Sequence, residues 1–209
     1  MQSLLIEPTW EPTLLNLSSV IKRRMSDAEF LSFCRRNEGY RIEMSKEGVL
    51  EVMPPTGGDT GHRNALLGRW LGNWTEQDGN GVDFDSSTIF KLPNGAKRSP
   101  DACWVRKEIW DMLTEKEREG FPPICPDFVI ELRSPSDRLQ PLQDKMEEYL
   151  KNGAALGWLI DPAERKVYVY RPNAPVECLE NPETLSGEPL LTGFVLPVAR
   201  LWMTQYRER

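Results

Sequence analysis

The run Phe128-Val129-Ile130-Glu131-Leu132 constrains the fold more than any other segment, because it is apolar on both faces apart from one carboxylate. Strands that are covered on both faces are near-continuous apolar runs, whereas half-exposed strands alternate apolar and polar residues. The run therefore predicts a central strand in a sheet that is packed against other elements on both sides. A second buried strand is predicted at 156–160, and the alternating segment 166–170 is expected to pair with it.

Helical patterns separate the predicted strands along the chain. Ser26-Asp27-Ala28-Glu29 is a capping box, in which the serine and glutamate side chains each bond a backbone N–H at the start of a helix. Pro141 suits the first position of a later helix, because that position needs no N–H donor. The patterns predict helices over about 26–37, 59–77 and 141–151, and a charged, helix-rich surface insertion over 107–119.

The remaining strands complete a chain of the α/β class. Alternating segments at 40–44 and 49–53 flank a Lys-Glu-Gly turn and predict a β-hairpin. Further strands are predicted near 82–85, 88–92 and 101–105, with edge strands and a short final helix in the Pro-rich tail. A length of 209 residues suits one sizeable core. We therefore predict an N-terminal arm at 1–25 and a single domain at 26–209.

The charge of the chain limits the kinds of nucleic-acid contact it can make. A net charge of −6 argues against a coat protein that binds nucleic acid non-specifically, because such proteins are usually basic. The charge does not exclude a nuclease. Carboxylates that hold Mg²⁺ create their own local field, and basic side chains can line one face of an acidic protein.

The cysteines and the terminus indicate a reducing compartment. No two of the four cysteines have CxxC spacing and the chain has one histidine, so a structural zinc site lacks ligands. We expect buried, reduced thiols at Cys34, Cys103, Cys125 and Cys178. No apolar run is long enough to cross a bilayer, and the N-terminus lacks the pattern of a signal peptide. We therefore expect a cytoplasmic protein with no membrane partner.

Glu131 is the residue that most needs an explanation, because an unpaired carboxylate inside an apolar strand is costly. A divalent metal ion would explain it, and so would a structural ion pair with Arg133 or Lys145. Mg²⁺ binds a few carboxylate oxygens together with water, and Asp101 can bring a second carboxylate from another strand. Lys145 lies on the helix after the Glu131 strand, where a lysine can stabilise charge on a phosphate. Both explanations remain open on the residues alone.

Asp127 is the alternative to Asp101, because both residues follow a proline. On one strand Asp127 and Glu131 would lie about 13 Å apart, at roughly 3.3 Å per residue, which is too far for one metal ion. Asp101 comes from a different strand and is free to approach Glu131. We therefore predict that Asp101 is the second acid, and we interpret Asp127 as a strand-entry or surface residue.

Three further side chains are candidates for the lining of such a site. Arg133 stands where a Glu-x-Lys pattern would have lysine, and it can bind phosphate or pair with an acid but cannot act as a base. Tyr149 lies four residues after Lys145 and therefore on the same face of the predicted helix. His62 lies in the first turn of the long helix. A lone histidine is more often structural, although a helix N-terminus favours phosphate.

Six segments, in this order, resemble a known family: RIEMSKEGVLEVMP, GHRNALLGRWL, LPNGAKRSPDACWV, PDFVIELRSPSD, DKMEEYLKNGA and GWLIDPAERKVYVY. They resemble the Uma-two-like family of restriction endonucleases, in the PD-(D/E)XK nuclease superfamily, over about residues 26–200. The resemblance implies a restriction-endonuclease-like α/β fold, with a mixed central sheet flanked by helices and an N-terminal helix and β-hairpin. Because proteins with this core are often homodimers, the resemblance also implies a homodimer.

The resemblance also implies hydrolysis of phosphodiester bonds that depends on Mg²⁺ or Mn²⁺. Asp101 and Glu131 match the metal-binding acids. Lys145 matches a catalytic lysine that is displaced from the strand to the next helix, which agrees with an arginine at the usual lysine position. Glu43 and His62 match acidic and histidine positions that are expected to line the site.

Two functions from different classes follow. The first is a metal-dependent DNA endonuclease, which the complete Asp101, Glu131 and Lys145 set favours. The second is a catalytically inactive nuclease-fold protein with a nucleic-acid-binding or regulatory role, which the acidic charge and Arg133 favour. A two-fold dimer would let two sites cut both DNA strands. Its interface is predicted to use exposed apolar residues near the poorly patterned ends: Trp10, Leu201 and Trp202.

Overall fold

The computed structural model of the protein describes residues 13–15, 25–37, 40–53 and 55–202, with the backbone alone for 13–15. Its strands are Thr13–Leu15 (β1), Arg41–Met44 (β2), Leu50–Met53 (β3), Gly81–Asp85 (β4), Phe90–Lys91 (β5), Lys97–Arg98 (β6), Ala102–Arg106 (β7), Phe128–Leu132 (β8), Leu156–Asp161 (β9), Lys166–Tyr170 (β10), Glu177–Glu180 (β11), Leu185–Ser186 (β12) and Val195–Leu196 (β13). Its helices are Asp27–Arg36 (α1), Gly58–Asp78 (α2), Lys107–Asp111 (α3), Glu115–Glu119 (α4) and Leu139–Lys151 (α5), with a 3₁₀ turn at Val198–Leu201.

A six-stranded sheet of order β11-β10-β9-β8-β7-β4 forms the centre of the molecule. Strands β8 and β9 are parallel, because α5 crosses over between them, and the other neighbours are antiparallel. A smaller sheet has the order β1-β3-β2-β6-β5 and contains the predicted hairpin. The predicted α/β fold with a mixed central sheet is confirmed.

Helices cover both faces of the six-stranded sheet. On one face, Leu67 and Leu71 of α2 pack in a cluster with Ile130 and Trp158. On the opposite face, α5 packs Met146 and Tyr149 against Val129 and Leu159. All five residues of β8 are buried, as predicted for a central strand. Because side chains alternate along a strand, Glu131 lies on the same side as Val129 and faces α5.

The N-terminal helix begins as the sequence predicts. Ser26 Oγ accepts a hydrogen bond from the Glu29 N–H at 3.3 Å, and Glu29 Oε2 accepts one from the Ser26 N–H at 2.8 Å. The helix packs Phe30 against Ile42 and other apolar residues of the hairpin. Within the predicted arm, Thr13–Leu15 pairs antiparallel with β3 as β1, and the rest of the arm lies outside the described residues.

Two predicted boundaries were wrong. Helix α5 begins at Leu139, so Pro141 occupies its third position rather than its first. Proline is tolerated there because the first four N–H groups of a helix have no partner within the helix. The strand predicted at 88–92 is only the two-residue β5, because the Thr88 N–H bonds the Asp85 carbonyl in a turn.

The predicted interface residues near the C-terminal end were also wrong. Leu201 is fully buried and Trp202 is 9% exposed, and both belong to the apolar cluster under α2. Trp202 donates from Nε1 to the Pro182 carbonyl at 3.2 Å. The 3₁₀ turn folds these residues back onto the sheet, so they present no exposed apolar surface. Trp10 lies outside the described residues.

The thiol prediction is confirmed in part. All four cysteines are free. Cys103 is buried and Cys34 and Cys125 are half-buried, but Cys178 is exposed because β11 is an edge strand. The charged insertion forms the short helices α3 and α4, neither of which has a buried residue. None of the helices in the described ranges is long and apolar enough to span a membrane.

Gly81 in β4 is required by the packing of the sheet. A Cβ atom at this position would lie 2.1 Å from Cε2 of the buried Trp104 ring. We expect Gly81→Ala to lower the free energy of unfolding by about 1–3 kcal/mol, the usual cost of overpacking. Gly68 on α2 is the matched control, because a Cβ there meets nothing within 4 Å. Urea denaturation of both variants tests the prediction, and a Gly81→Ala protein as stable as Gly68→Ala would contradict it.

Candidate active site

One cleft opens where the hairpin, the start of α2, the end of β8 and the first turns of α5 meet. Its volume is about 1500 Å³. The lining residues include the predicted acids Asp101 and Glu131 and the predicted lysine Lys145. Two cations that sequence reasoning did not identify, Arg41 and Arg98, also line it. The cleft therefore concentrates side chains of both charges.

Asp101 is fixed against the end of β8 by its own backbone and side chain. Its N–H donates to the Ile130 carbonyl at 3.0 Å, and its Oδ2 accepts a hydrogen bond from the Leu132 N–H at 2.8 Å. Its Oδ1 accepts one from Arg41 Nη1 at 2.6 Å. The sequence places Asp101 just before β7, and the pairing of β7 with β8 then brings the carboxylate beside the strand that carries Glu131.

Glu131 is 1% exposed and faces α5. Its Oε1 lies 2.8 Å from Lys145 Nζ and accepts a hydrogen bond from the Tyr149 hydroxyl at 3.0 Å. Burial raises the pKa of Glu131 to about 7, because the attraction of Lys145 is opposed by the negative charges of Asp101 and Glu43. Burial also keeps the pKa of Tyr149 well above its ordinary value, so its hydroxyl stays protonated and donates.

Glu43 holds Lys145 from the other side. Its Oε1 lies 2.9 Å from Lys145 Nζ and 3.1 Å from the Ser99 N–H, and its Oε2 lies 3.2 Å from Arg98 Nη1. Burial alone would raise the pKa of Glu43, but Lys145, Arg98 and Arg41 lower it to about 2. Burial alone would lower the pKa of Lys145, and the two glutamates outweigh that effect and raise it. Lys145 therefore stays charged between two carboxylates, of which Glu43 is the firmly ionised one.

Arg98 is a second cation that contacts Glu43. Its guanidinium contacts Glu51 Oε2 at 3.0 Å and Glu148 Oε2 at 2.7 Å as well as Glu43. Negative neighbours outweigh burial and raise the pKa of Arg98. Arg41 and Glu43 are two residues apart on β2, so they share one face of the strand, and this spacing is visible in the sequence.

The structure does not bring every predicted residue to the cleft. Arg133 is not among the lining residues and donates to Asp161 Oδ2 at 2.5 Å and to the Asp137 carbonyl at 3.1 Å. His62 is exposed and is not among the lining residues, whereas Thr60 and Asn64 are. Residues four apart share a helix face and a residue midway between them does not, which is why His62 faces elsewhere.

Asp127 lies at the opposite end of β8 from Glu131. It immediately precedes the strand, as predicted, but it is 3% exposed and so is not a surface residue. Its carboxylate accepts hydrogen bonds from the Arg106 backbone N–H at 2.9 Å and from Arg106 Nη2 at 2.5 Å. This ion pair ties β8 to the end of β7 and belongs to the framework of the sheet rather than to the cleft.

The raised pKa of Glu131 predicts how stability depends on pH. Between about pH 4.5 and 7 the folded protein holds more protons at Glu131 than the unfolded chain, so its contribution to stability is present below about pH 4.5 and is lost as the pH rises through about 7. Glu131→Gln lacks this titration. We therefore expect the free energy of unfolding of Glu131→Gln to increase relative to that of wild type between about pH 5 and pH 8. Urea denaturation of both proteins with a chelator present measures this change. A difference that stays constant with pH would contradict the assignment.

The fold is shared with a protein of known structure. It matches the crystal structure of a protein from Anabaena variabilis ATCC 29413, described as a "putative nuclease belonging to DUF820", with a TM-score of 0.69. The two chains are 21% identical, and the match covers 85% of this chain and 97% of that one. At this identity the likeness establishes the fold alone.

The chain matches the model of the Uma2 family, described as "Putative restriction endonuclease", over residues 27–199. The protein therefore belongs to this family, and the predicted resemblance is confirmed. No curated protein matches the chain. Family and fold together support a nuclease, which is a hydrolase that acts on nucleic acid.

Proposed function

We propose that the protein is a divalent-metal-dependent DNA endonuclease with its active site at Asp101, Glu131 and Lys145. The observation that carries the proposal is that a buried carboxylate just before β7, a buried carboxylate on β8 and a buried, charged lysine line one cleft. A buried carboxylate with a pKa of about 7 is unusual, and such groups concentrate at functional sites. The proposal includes a homodimer, in which two sites cut the two strands, and a cytoplasmic location.

The side chains fit Mg²⁺ or Mn²⁺ better than zinc. Mg²⁺ is commonly held by one or two carboxylates, with water and substrate phosphate oxygens as the other ligands. Asp101 and Glu131 supply those two carboxylates. The contacts of Glu131 with Lys145 and Tyr149 both involve Oε1. Among the residues that the structure describes, no group of three or more His, Cys, Asp or Glu side chains is arranged to hold a metal ion.

The neighbouring residues have separate roles in this proposal. Asp101 and Glu131 would hold the ion, which when bound would supply Lewis-acid activation of water and of the phosphate. Lys145 carries a fixed positive charge into the cleft and stabilises negative charge that develops on the phosphate. Glu43 holds the Lys145 ammonium in place and charged, and Tyr149 orients the Glu131 carboxylate. Arg133 supports the end of β8 through Asp161 and does not act on the substrate.

Cleavage of supercoiled plasmid DNA in separate Mg²⁺, Mn²⁺ and EDTA reactions tests the proposal. We expect nicked and then linear product with either metal ion and intact plasmid with EDTA. A matched RNA substrate in the same reactions distinguishes DNA from RNA as the substrate. Absence of cleavage with both metal ions, or equal cleavage with EDTA, would rule out a metal-dependent endonuclease.

The alternative is a catalytically inactive nuclease-fold protein that binds nucleic acid or regulates another protein. One observation favours it: Arg41 and Lys145 already form ion pairs with Asp101 and Glu131, so the fold needs no metal ion to compensate the charge of the buried carboxylates. The acidic net charge of −6 disfavours tight binding to nucleic acid and therefore favours the regulatory form of this alternative. Retention of DNA on a filter without cleavage in any metal reaction would support this alternative.

A further inference from the structure

The guanidinium of Arg41 occupies the Asp101 carboxylate, which is one of the two proposed metal ligands. Arg41 Nη1 lies 2.6 Å from Asp101 Oδ1, and the remaining oxygen, Oδ2, accepts the Leu132 N–H at 2.8 Å. Both oxygens of Asp101 therefore have protein donors. A cation that binds Asp101 through Oδ1 competes with the charge of Arg41 for that oxygen, whereas the Leu132 N–H belongs to the sheet and is neutral.

Each cation at the centre of the cleft already pairs with a carboxylate. Three cations and five carboxylates meet there: Arg41, Glu43, Glu51, Arg98, Asp101, Glu131, Lys145 and Glu148. A divalent cation that binds Asp101 is repelled by the cation that already pairs with this carboxylate. Movement of that resident cation away from Asp101 would therefore strengthen binding of the ion.

Arg41 is the resident cation that can move. Lys145 is held by two carboxylates and its side chain is 9% exposed, and Arg98 is held by three carboxylates at the same exposure. Arg41 has one carboxylate within ion-pair distance among the described residues, and its side chain is 27% exposed. Its other described contact is a hydrogen bond from Nε to Met53 Sδ at 3.3 Å, and a thioether is a weak acceptor.

We propose that Arg41 is a built-in competitor of the metal ion, which pairs with Asp101 in the metal-free protein and swings into the cleft when a divalent cation binds. This inference rests on the proposed metal site. Arg41 is then a residue that sets metal affinity rather than a catalytic residue. Its ion pair neutralises the buried Asp101 carboxylate while the ion is absent. Because this ion pair must break when the metal ion binds, the free energy of the pair is subtracted from the free energy of metal binding.

The test is the affinity for Mn²⁺ alone, measured by isothermal titration calorimetry on the metal-free protein. We expect Arg41→Met, which keeps a similar stem without the charge, to bind Mn²⁺ about tenfold or more tightly than wild type, within the usual range of coupling between two sites. Lys46→Met is the matched control. Lys46 is an exposed lysine of the same cleft, so its loss removes the same unit charge without touching Asp101. We expect this control to stay within about twofold of wild type, because exposed charges are largely screened.

A measurement on wild-type protein covers the case in which Arg41→Met does not fold. The ¹⁵Nε signal of Arg41 should shift on titration with Mg²⁺, while the signal of Arg106, whose partner Asp127 lies at the far end of β8, should not.

An Arg41 signal that stays fixed while Mg²⁺ binds overturns the inference. So does a folded Arg41→Met protein that binds Mn²⁺ no more tightly than Lys46→Met. In both cases the metal site itself still stands. If neither wild type nor Arg41→Met binds Mn²⁺, the proposed metal site fails, and this inference fails with it.

Discussion

Replacement of Lys145 by alanine is expected to reduce the rate of plasmid cleavage at least about a hundredfold, the usual effect of removing one preorganised group that stabilises transition-state charge. Lys145 Nζ lies 2.8 Å from Glu131 and 2.9 Å from Glu43, so its charge is fixed at the cleft rather than carried on a mobile arm. No other lysine contacts Glu131 among the described residues. Initial rates of nicking with Mg²⁺, at equal protein concentration, measure the effect.

A control must separate lost chemistry from lost folding in this experiment. Without Lys145, the buried carboxylates of Glu43 and Glu131 lose a cation, and breaking a buried ion pair can cost about 3–5 kcal/mol. Lys145→Met keeps the stem of the side chain and its packing, and circular dichroism and thermal melting show whether either variant is folded. A folded Lys145→Ala or Lys145→Met protein that cuts plasmid at the wild-type rate would rule out the displaced-lysine assignment.

Arg133→Lys is the matched comparison for the lysine variants. Arg133 lies two residues after Glu131, where the usual sequence pattern would place the catalytic lysine, but its guanidinium binds Asp161 and the Asp137 carbonyl. A lysine there would keep the charge and lose part of the hydrogen bonding. We expect this variant to retain part of the cleavage activity, with the loss appearing as lower stability. Complete loss of cleavage in a stable Arg133→Lys protein would return the catalytic role to this position.

The framework of the site was accessible from the sequence because its signals are local. The apolar run around Glu131 predicted a central strand, and the spacing of Lys145 and Tyr149 predicted that both share one face of a helix. The structure brings both side chains to Glu131 Oε1. The capping box at Ser26 was similarly readable, since its two hydrogen bonds join residues three apart.

The cations around the acids were not accessible in the same way. Arg41 and Asp101 are 60 residues apart, and Arg98 and Glu43 are 55 apart, so their pairing depends on how the hairpin packs against β6 and β7. A single sequence carries no periodic signal for contacts of this range. The wrong prediction that Leu201 is exposed has a related cause. A short tail of mixed composition has the sequence pattern of a surface segment, and its burial in the cluster under α2 depends on contacts with distant residues.

The second large effect concerns the response of stability to metal ions. Mn²⁺ should raise the melting temperature of the wild type, because a ligand that binds only the folded state stabilises it by about 2.7 kcal/mol at a hundredfold excess over Kd. For a chain of this length that corresponds to a rise of roughly 5–10 °C. The scan belongs above about pH 7, where Glu131 is ionised and can bind the metal ion.

The same scan on isosteric variants locates the metal site. Asp101→Asn and Glu131→Gln keep the shape of the side chains and lose the charge, so the Mn²⁺-dependent rise should largely vanish in both. Asp144→Asn is the control, because Asp144 is an exposed acid that lines the same cleft one residue before Lys145. We expect this control to keep the full rise, which would show that the effect depends on two particular carboxylates rather than on the negative charge of the cleft. An equal rise in all four proteins would mean that Mn²⁺ binds elsewhere, and a metal site at Asp101 and Glu131 would have to be abandoned.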